Sequence, residues 1–147
     1  MIYSCALSGH RQIDLEDFSK IQLEEEIEKL ADRGCRVFYC GMAMGFDMLA
    51  AEVVQSHKNL SVIACLPCKD QANMFPVNER MRYKKILSNC IDIVTLSDFY
   101  YKGCMFARDR YIVDKSDVLL CYLRKKSGGT YYTYKYAEEL EKEIIII

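Results

Sequence analysis

Three short runs in this 147-residue chain combine glycine with polar or cationic side chains: Ser8-Gly9-His10-Arg11, Gly41-Met42-Ala43-Met44-Gly45 and Ser127-Gly128-Gly129-Thr130. Each follows an apolar run and precedes a stretch with helical spacing. Glycine lets backbone N–H groups approach an anion, and a helix N-terminus adds roughly half a positive charge, so each run is a candidate phosphate cradle. Turns between strands and helices also use glycine for their own geometry, so three runs on one edge carry more weight than any one alone. Arg11, Arg108 and Arg110 fall near these loops or at helix starts, where a planar guanidinium pairs bidentately with phosphate. Asp47, two residues beyond Gly45, is placed either to cap the next helix or to meet a ribose hydroxyl. Tyr131, first of the tyrosines after Thr130, offers a ring face for a base.

Other chemistries find less support. Of eight cysteines (Cys5, Cys35, Cys40, Cys65, Cys68, Cys90, Cys104 and Cys121), only Cys65-Leu66-Pro67-Cys68 has ligand or redox spacing. A zinc site needs a second pair or nearby histidines, and His10 and His57, the only two, form no such motif. The cysteines therefore read as small buried hydrophobes of a reducing compartment, with no resident metal expected. No HExxH or GxxxxGK[ST] pattern occurs, and Gly41 to Gly45 is not a GxGxxG fingerprint, which leaves zinc protease, P-loop and ordinary dehydrogenase readings without a basis.

The elements that must position these residues follow from apolar patterning. Strands are expected at Ile2–Leu7, Arg36–Cys40, Ser61–Leu66, Ile91–Leu96, Asp117–Tyr122 and Ile144–Ile147, the last read as a buried pleat because it is a run of four β-branched residues. Helices are expected between them: one capped by Asp14 or Asp17 and carrying Ile21, Leu23, Ile27 and Leu30 inward; Phe46–Ser56; Val77–Cys90 with Met81, Ile86 and Leu87 inward; Gly103–Lys115; and Thr130–Lys142. Cys68–Pro76 reads as an irregular connection able to cover a site. Alternating strands and helices imply an α/β, Rossmann-like, doubly wound domain over residues 1–147, its mainly parallel sheet flanked by helices on both faces. Ligands of such sheets sit beyond the carboxyl ends of the strands, where the glycine runs lie.

Composition bounds the class. The chain is 51% hydrophobic and 28% charged with a formal net charge of −1, which fits a globular domain, and no apolar run reaches the 18 residues of a membrane span. Met1 to Leu7 lacks a basic leader, so a cytoplasmic location is expected with no membrane partner. The near-zero charge argues against a nucleic-acid partner. Yet charge is uneven: residues 14–33 hold eight acids and three bases, and residues 69–126 hold twelve bases and seven acids. The basic stretch suits a small phosphorylated ligand.

Together Ser8-Gly9-His10-Arg11, Gly41 through Asp47, Pro67 with Gln71, Arg108-Asp109 and Ser127 to Thr130 resemble, in order and spacing, the YpsA-like proteins of the SLOG superfamily, named for DprA/Smf and the Lonely Guy phosphoribohydrolases. The resemblance spans nearly the whole chain. It implies a Rossmann-like fold that binds a nucleotide or nucleotide-derived molecule. Ser8, Gly9, Arg11, Gly41, Gly45, Asp47, Arg108, Gly128, Gly129 and Thr130 are then the expected ligand-binding residues, with Phe75 or Tyr131 as a base or lid contact, Phe75 filling a place where the family often has tryptophan. Lonely Guy enzymes carry a GGxGTxxE motif, whereas Gly129-Thr130 is followed here by Tyr131, Tyr132 and Thr133, so their catalytic carboxylate is missing. Asp109 stands where asparagine is common.

The leading expectation is binding or sensing of a nucleotide or ADP-ribose-like ligand, with no certain cofactor, and homo-oligomerisation left open. Two alternatives stand beside it. One is a nucleotide-processing enzyme that cleaves an N-glycosidic bond, with Glu52, Asp47 or Asp109 as its carboxylate; the other is a redox or metal module built on Cys65 and Cys68.

Overall fold

Every residue of Val118–Tyr122 is buried, and the side chains alternate between two separate apolar layers: Val118, Leu120 and Tyr122 join one, Leu119 and Cys121 the other. Burial on both sides requires a central strand with helices on both faces of its sheet. The computed structural model describes residues 2–147 and has this arrangement. In chain order its elements are β1 (Ser4–Gly9), α1 (Lys20–Asp32), β2 (Val37–Cys40), α2 (Phe46–Gln55), β3 (Ser61–Leu66), α3 (Val77–Ser88), β4 (Asp92–Thr95), α4 (Cys104–Asp114), β5 (Val118–Tyr122), α5 (Gly128–Glu139) and β6 (Glu143–Ile146).

All neighbouring strands pair in parallel, in the order β4-β3-β2-β1-β5-β6. The chain thus winds outward from β1 to β4, then returns to place β5 on the other side of β1. That reversal is the topological switch point, where open α/β sheets leave a crevice beyond the strand ends. Leu23, Ile27 and Leu30 of α1, most of α2 and Tyr83 and Ile86 of α3 pack with Cys5, Leu7, Phe38 and Val62 on one face. Ile112, Val113 and Ala137 from α4 and α5 cover Ala6, Cys65 and Leu119 on the other.

Three expectations about local structure are corrected. The N-cap of α1 is Ser19, whose side chain accepts from the Gln22 N–H, because both aspartates are engaged elsewhere. Asp14 accepts from the Glu16 N–H, and Asp17 accepts from the Tyr122 hydroxyl. Ile21 and Met81 point to solvent, and Tyr83 instead fills the inward position of α3, edge-on to Phe75. The terminal isoleucines form an edge strand: β6 pairs only with β5, so Ile146 stays half exposed while Ile147 is buried.

Candidate functional site

The ends of β1 and β5 open into a cleft of about 870 Å³. Its walls are Ser8 and Gly9 at the end of β1 with the segment His10–Asp14 that follows, Tyr122 at the end of β5 with Arg124 and Lys125 beyond it, the start of α5 at Gly128, Gly129 and Thr130, and Met105, Phe106, Arg108 and Asp109 from α4. Ala43 and Asp47 close it from the second glycine loop.

Its floor is a buried charged cluster. Arg108 is 5% exposed and its Nε donates to Asp109 Oδ1 at 2.7 Å, while Nη1 donates to the Gly41 carbonyl at 2.5 Å and to Gln71 Oε1 at 3.3 Å. Gln71 is oriented in turn, its amide donating to the Gly41 carbonyl at 3.2 Å. Burial pulls the Arg108 pKa down, but the Asp109 and Asp47 carboxylates beside it outweigh that and hold the guanidinium charged. Burial pushes Asp109 upward against the pull of Arg108.

Asp47 is 5% exposed. Its Oδ2 accepts from the Ala43 N–H at 3.2 Å, but Oδ1 is the one buried side-chain polar atom without a partner among the described residues. Burial raises its pKa to about 7, against the pull of Arg108. A half-satisfied buried carboxyl is costly unless a further donor meets it. The residue lines the cleft, and the Gly9 N–H beside it favours its charged form.

The rim offers free donors and, among the described residues, two unpaired cations. No side chain caps α5: Ser127 precedes it without a capping hydrogen bond, leaving the first-turn N–H groups as free donors at the positive end of the helix dipole. A methyl group built on Gly128 meets nothing within 4 Å, and one on Gly129 first meets Asp109 at 3.7 Å. Arg11 and Lys125 line the same space, and neither has an ion-pair partner among the described residues. The wall opposite is pinned: Arg124 lies over the Tyr122 ring at 4.5 Å and pairs with Asp17 at 3.1 Å. His10 Nε2 accepts from the Arg124 N–H at 2.8 Å, and burial with the charges of Lys125 and Arg124 lowers its pKa, which keeps that acceptor free of a proton.

Ser8, Gly9, Arg11, Asp47, Arg108, Gly128, Gly129 and Thr130 therefore come together around one space. Gly41 and Gly45 do not line it. Gly41 backs directly on the Arg108 guanidinium, and Gly45, at φ +83°, packs against the Arg11 carbonyl. Phe75 packs on Tyr83 and Tyr131 stacks on Tyr134 at 6.1 Å, so neither expected base contact reaches the cleft. Glu52 pairs with Arg82 of α3, outside it. Thr133, at the position where α5 lacks a carboxyl, donates its hydroxyl to the Gly129 carbonyl at 2.8 Å, and Asp109 of α4 lies beside Gly129. Sequence reasoning did not assign Met105, Phe106, Arg124 or Lys125 to the site. The one signal for the last two was their place between β5 and its glycine run.

Cys65 and Cys68 lack the features of a reactive pair. Burial pushes their thiols up to about 12 and about 11, away from the thiolate that redox or metal chemistry uses. Among the described residues no three His, Cys, Asp or Glu side chains are grouped to hold a metal ion.

The family model for YpsA, described as the YspA SLOG family, matches residues 5–145. The chain belongs to this family. Comparison with curated proteins finds no match. Among solved structures, this SLOG chain is similar to DNA processing protein A from Helicobacter pylori, a structure described for its single-stranded DNA binding mode, with a TM-score of 0.74 and 23% identity. It is also similar to DNA processing protein A (DprA) from Streptococcus pneumoniae, with a TM-score of 0.72 and 18% identity. The alignments cover 98% of this chain in both cases but only 64% and 50% of those longer chains. A structural genomics target, TM1055, aligns over 97% of this chain and 72% of its own at 17% identity and a TM-score of 0.61.

These likenesses bear out the Rossmann-like fold and correct one expectation. Exclusion of nucleic acid as a partner does not stand beside a fold neighbour characterised by single-stranded DNA binding. The net charge averages an acidic α1 with the cations Arg11, Arg108, Arg124 and Lys125 that line the cleft, so it does not speak against such a partner. Among the described residues no helix is long and apolar enough to cross a membrane.

Proposed function

We propose that the cleft between β1 and β5 binds a nucleotide unit or a nucleotide-derived phosphorylated molecule such as ADP-ribose. The observation that carries this reading is the uncapped start of α5, which opens with its small glycines into a cleft flanked by Arg11 and Lys125. Phosphate there would accept from the first-turn N–H groups and pair with the two cations. Asp47, which lines the cleft, supplies the complementary acceptor for a ribose hydroxyl. Arg108 acts from below: its Nε and Nη1 hold Asp109, Gly41 and Gln71, while its Nη2 meets only Met105 Sδ at 3.8 Å and is left to face the ligand.

Thermal-shift assays with ADP-ribose, NAD, mononucleotides and a short oligothymidylate, after a mass-spectrometric survey of co-purified small molecules, test the reading. A ligand at about 100 times its Kd should stabilise the fold by about 2.7 kcal/mol. No shift with any phosphorylated compound contradicts it.

A second reading, hydrolysis of an N-glycosidic bond, is favoured by one observation: two of the carboxyls that line the cleft, Asp47 and Asp109, are buried, and burial raises the first to about 7. Release of free base from a nucleoside monophosphate, lost in Asp47→Asn, would establish it, and absence of release would leave binding alone.

A further inference from the structure

A nucleotide held by its phosphate at α5 needs an apolar surface for its base, and Phe75 and Tyr131 do not provide one. Phe106 does. It lies in the first turn of α4, two residues before the buried Arg108, and lines the cleft while 43% exposed. Its ring is held in place from α5: the Tyr132 ring lies 4.4 Å away at 39°, and Arg110 Nη1 donates to the Tyr132 hydroxyl at 2.8 Å. A ring fixed by packing on one part and open on another loses little freedom when a second ring stacks on it. The two helices that fix it are the same two that carry the phosphate donors and the charged floor.

We propose that Phe106, braced by Tyr132 and Arg110, is the base platform of the cleft, on which the heterocycle of a nucleotide stacks while its phosphate meets the start of α5. This inference rests on the nucleotide reading above. The shared chemistry is a stacked base carrying a phosphate, from a free nucleotide or from one unit of a single strand.

Calorimetric titrations with AMP, ribose 5-phosphate and oligothymidylate, on wild type, Phe106→Ala and Phe106→Trp, test it. Phe106→Ala should weaken AMP on the order of tenfold to a hundredfold, the usual worth of stacking one base on an aromatic side chain, and leave ribose 5-phosphate unchanged. Phe106→Trp should retain AMP binding, which separates stacking from loss of packing. A stronger, Phe106-dependent affinity for oligothymidylate than for AMP would assign the platform to a strand, and the reverse to a free nucleotide. Unchanged AMP affinity in Phe106→Ala, or equal loss of AMP and ribose 5-phosphate, overturns the platform but not the phosphate site. Wild type that binds none of the three probes overturns both.

Discussion

Two glycine loops on the same sheet edge are used in opposite ways. In the loop after β2, the space that side chains would occupy is filled by the protein itself: Arg108 presses on Gly41, and the Arg11 carbonyl presses on Gly45. The helix it starts is satisfied internally too, since the Phe46 N–H donates to the His10 carbonyl. In the loop after β5, Gly128 and Gly129 face open space, and α5 begins without a cap. A glycine run before a helix is thus a ligand cradle only where the fold leaves its donors free. The first loop builds the floor of the cleft, and the second leaves its donors open to the cleft.

Variants can break that contrast. The largest expected effect is on the floor: Arg108→Met leaves Asp47 and Asp109 buried without their cation and should cost about 3–5 kcal/mol at pH 8, read by urea denaturation. Next is pH. The pKa of Asp47 rises from 3.8 to about 7 on folding, so the folded state holds a proton that the unfolded chain releases. Its contribution is fully present below about pH 4, declines as pH rises, and is lost above about pH 7, a span of up to about 4 kcal/mol. Asp47→Asn should flatten that part of the stability profile, and an unchanged slope would mean the carboxyl is not held protonated. Gly45→Ala combines a left-handed backbone with a collision against the Arg11 carbonyl and should destabilise by about 3 kcal/mol in thermal melts. The smallest effect sharpens the contrast from the other side: Gly129→Ala should change stability by no more than about 0.5 kcal/mol, because its added methyl makes only ordinary contact.

Much of the fold was legible in the sequence because its signals are local. Apolar runs such as Val118–Tyr122 mark the central strands, and the glycine runs between strands and helices mark the edge where the chain turns. What was not legible depends on contacts distant in sequence. Asp14 and Asp17 look like caps of α1 until Tyr122 and Arg124, over 100 residues away, are seen to engage Asp17. Gly41 looks like part of a cradle until Arg108, 67 residues later, fills it. Phe106 and Lys125 become neighbours of Ser8 only through the strand order, because β5 returns beside β1. Asp47 could be named as a ribose contact from its position after Gly45, but its pKa near 7 follows from burial that outweighs Arg108, a residue 61 positions later in the chain.

The most direct test of the account is a matched calorimetric titration of AMP into wild type and Gly129→Asp, with thermal melts confirming that both are folded. Wild type should bind AMP saturably, and affinity should fall a hundredfold or more when a carboxylate stands at the start of α5. Equal affinity in the two proteins would contradict it, because the phosphate would then lie elsewhere than the open glycine loop.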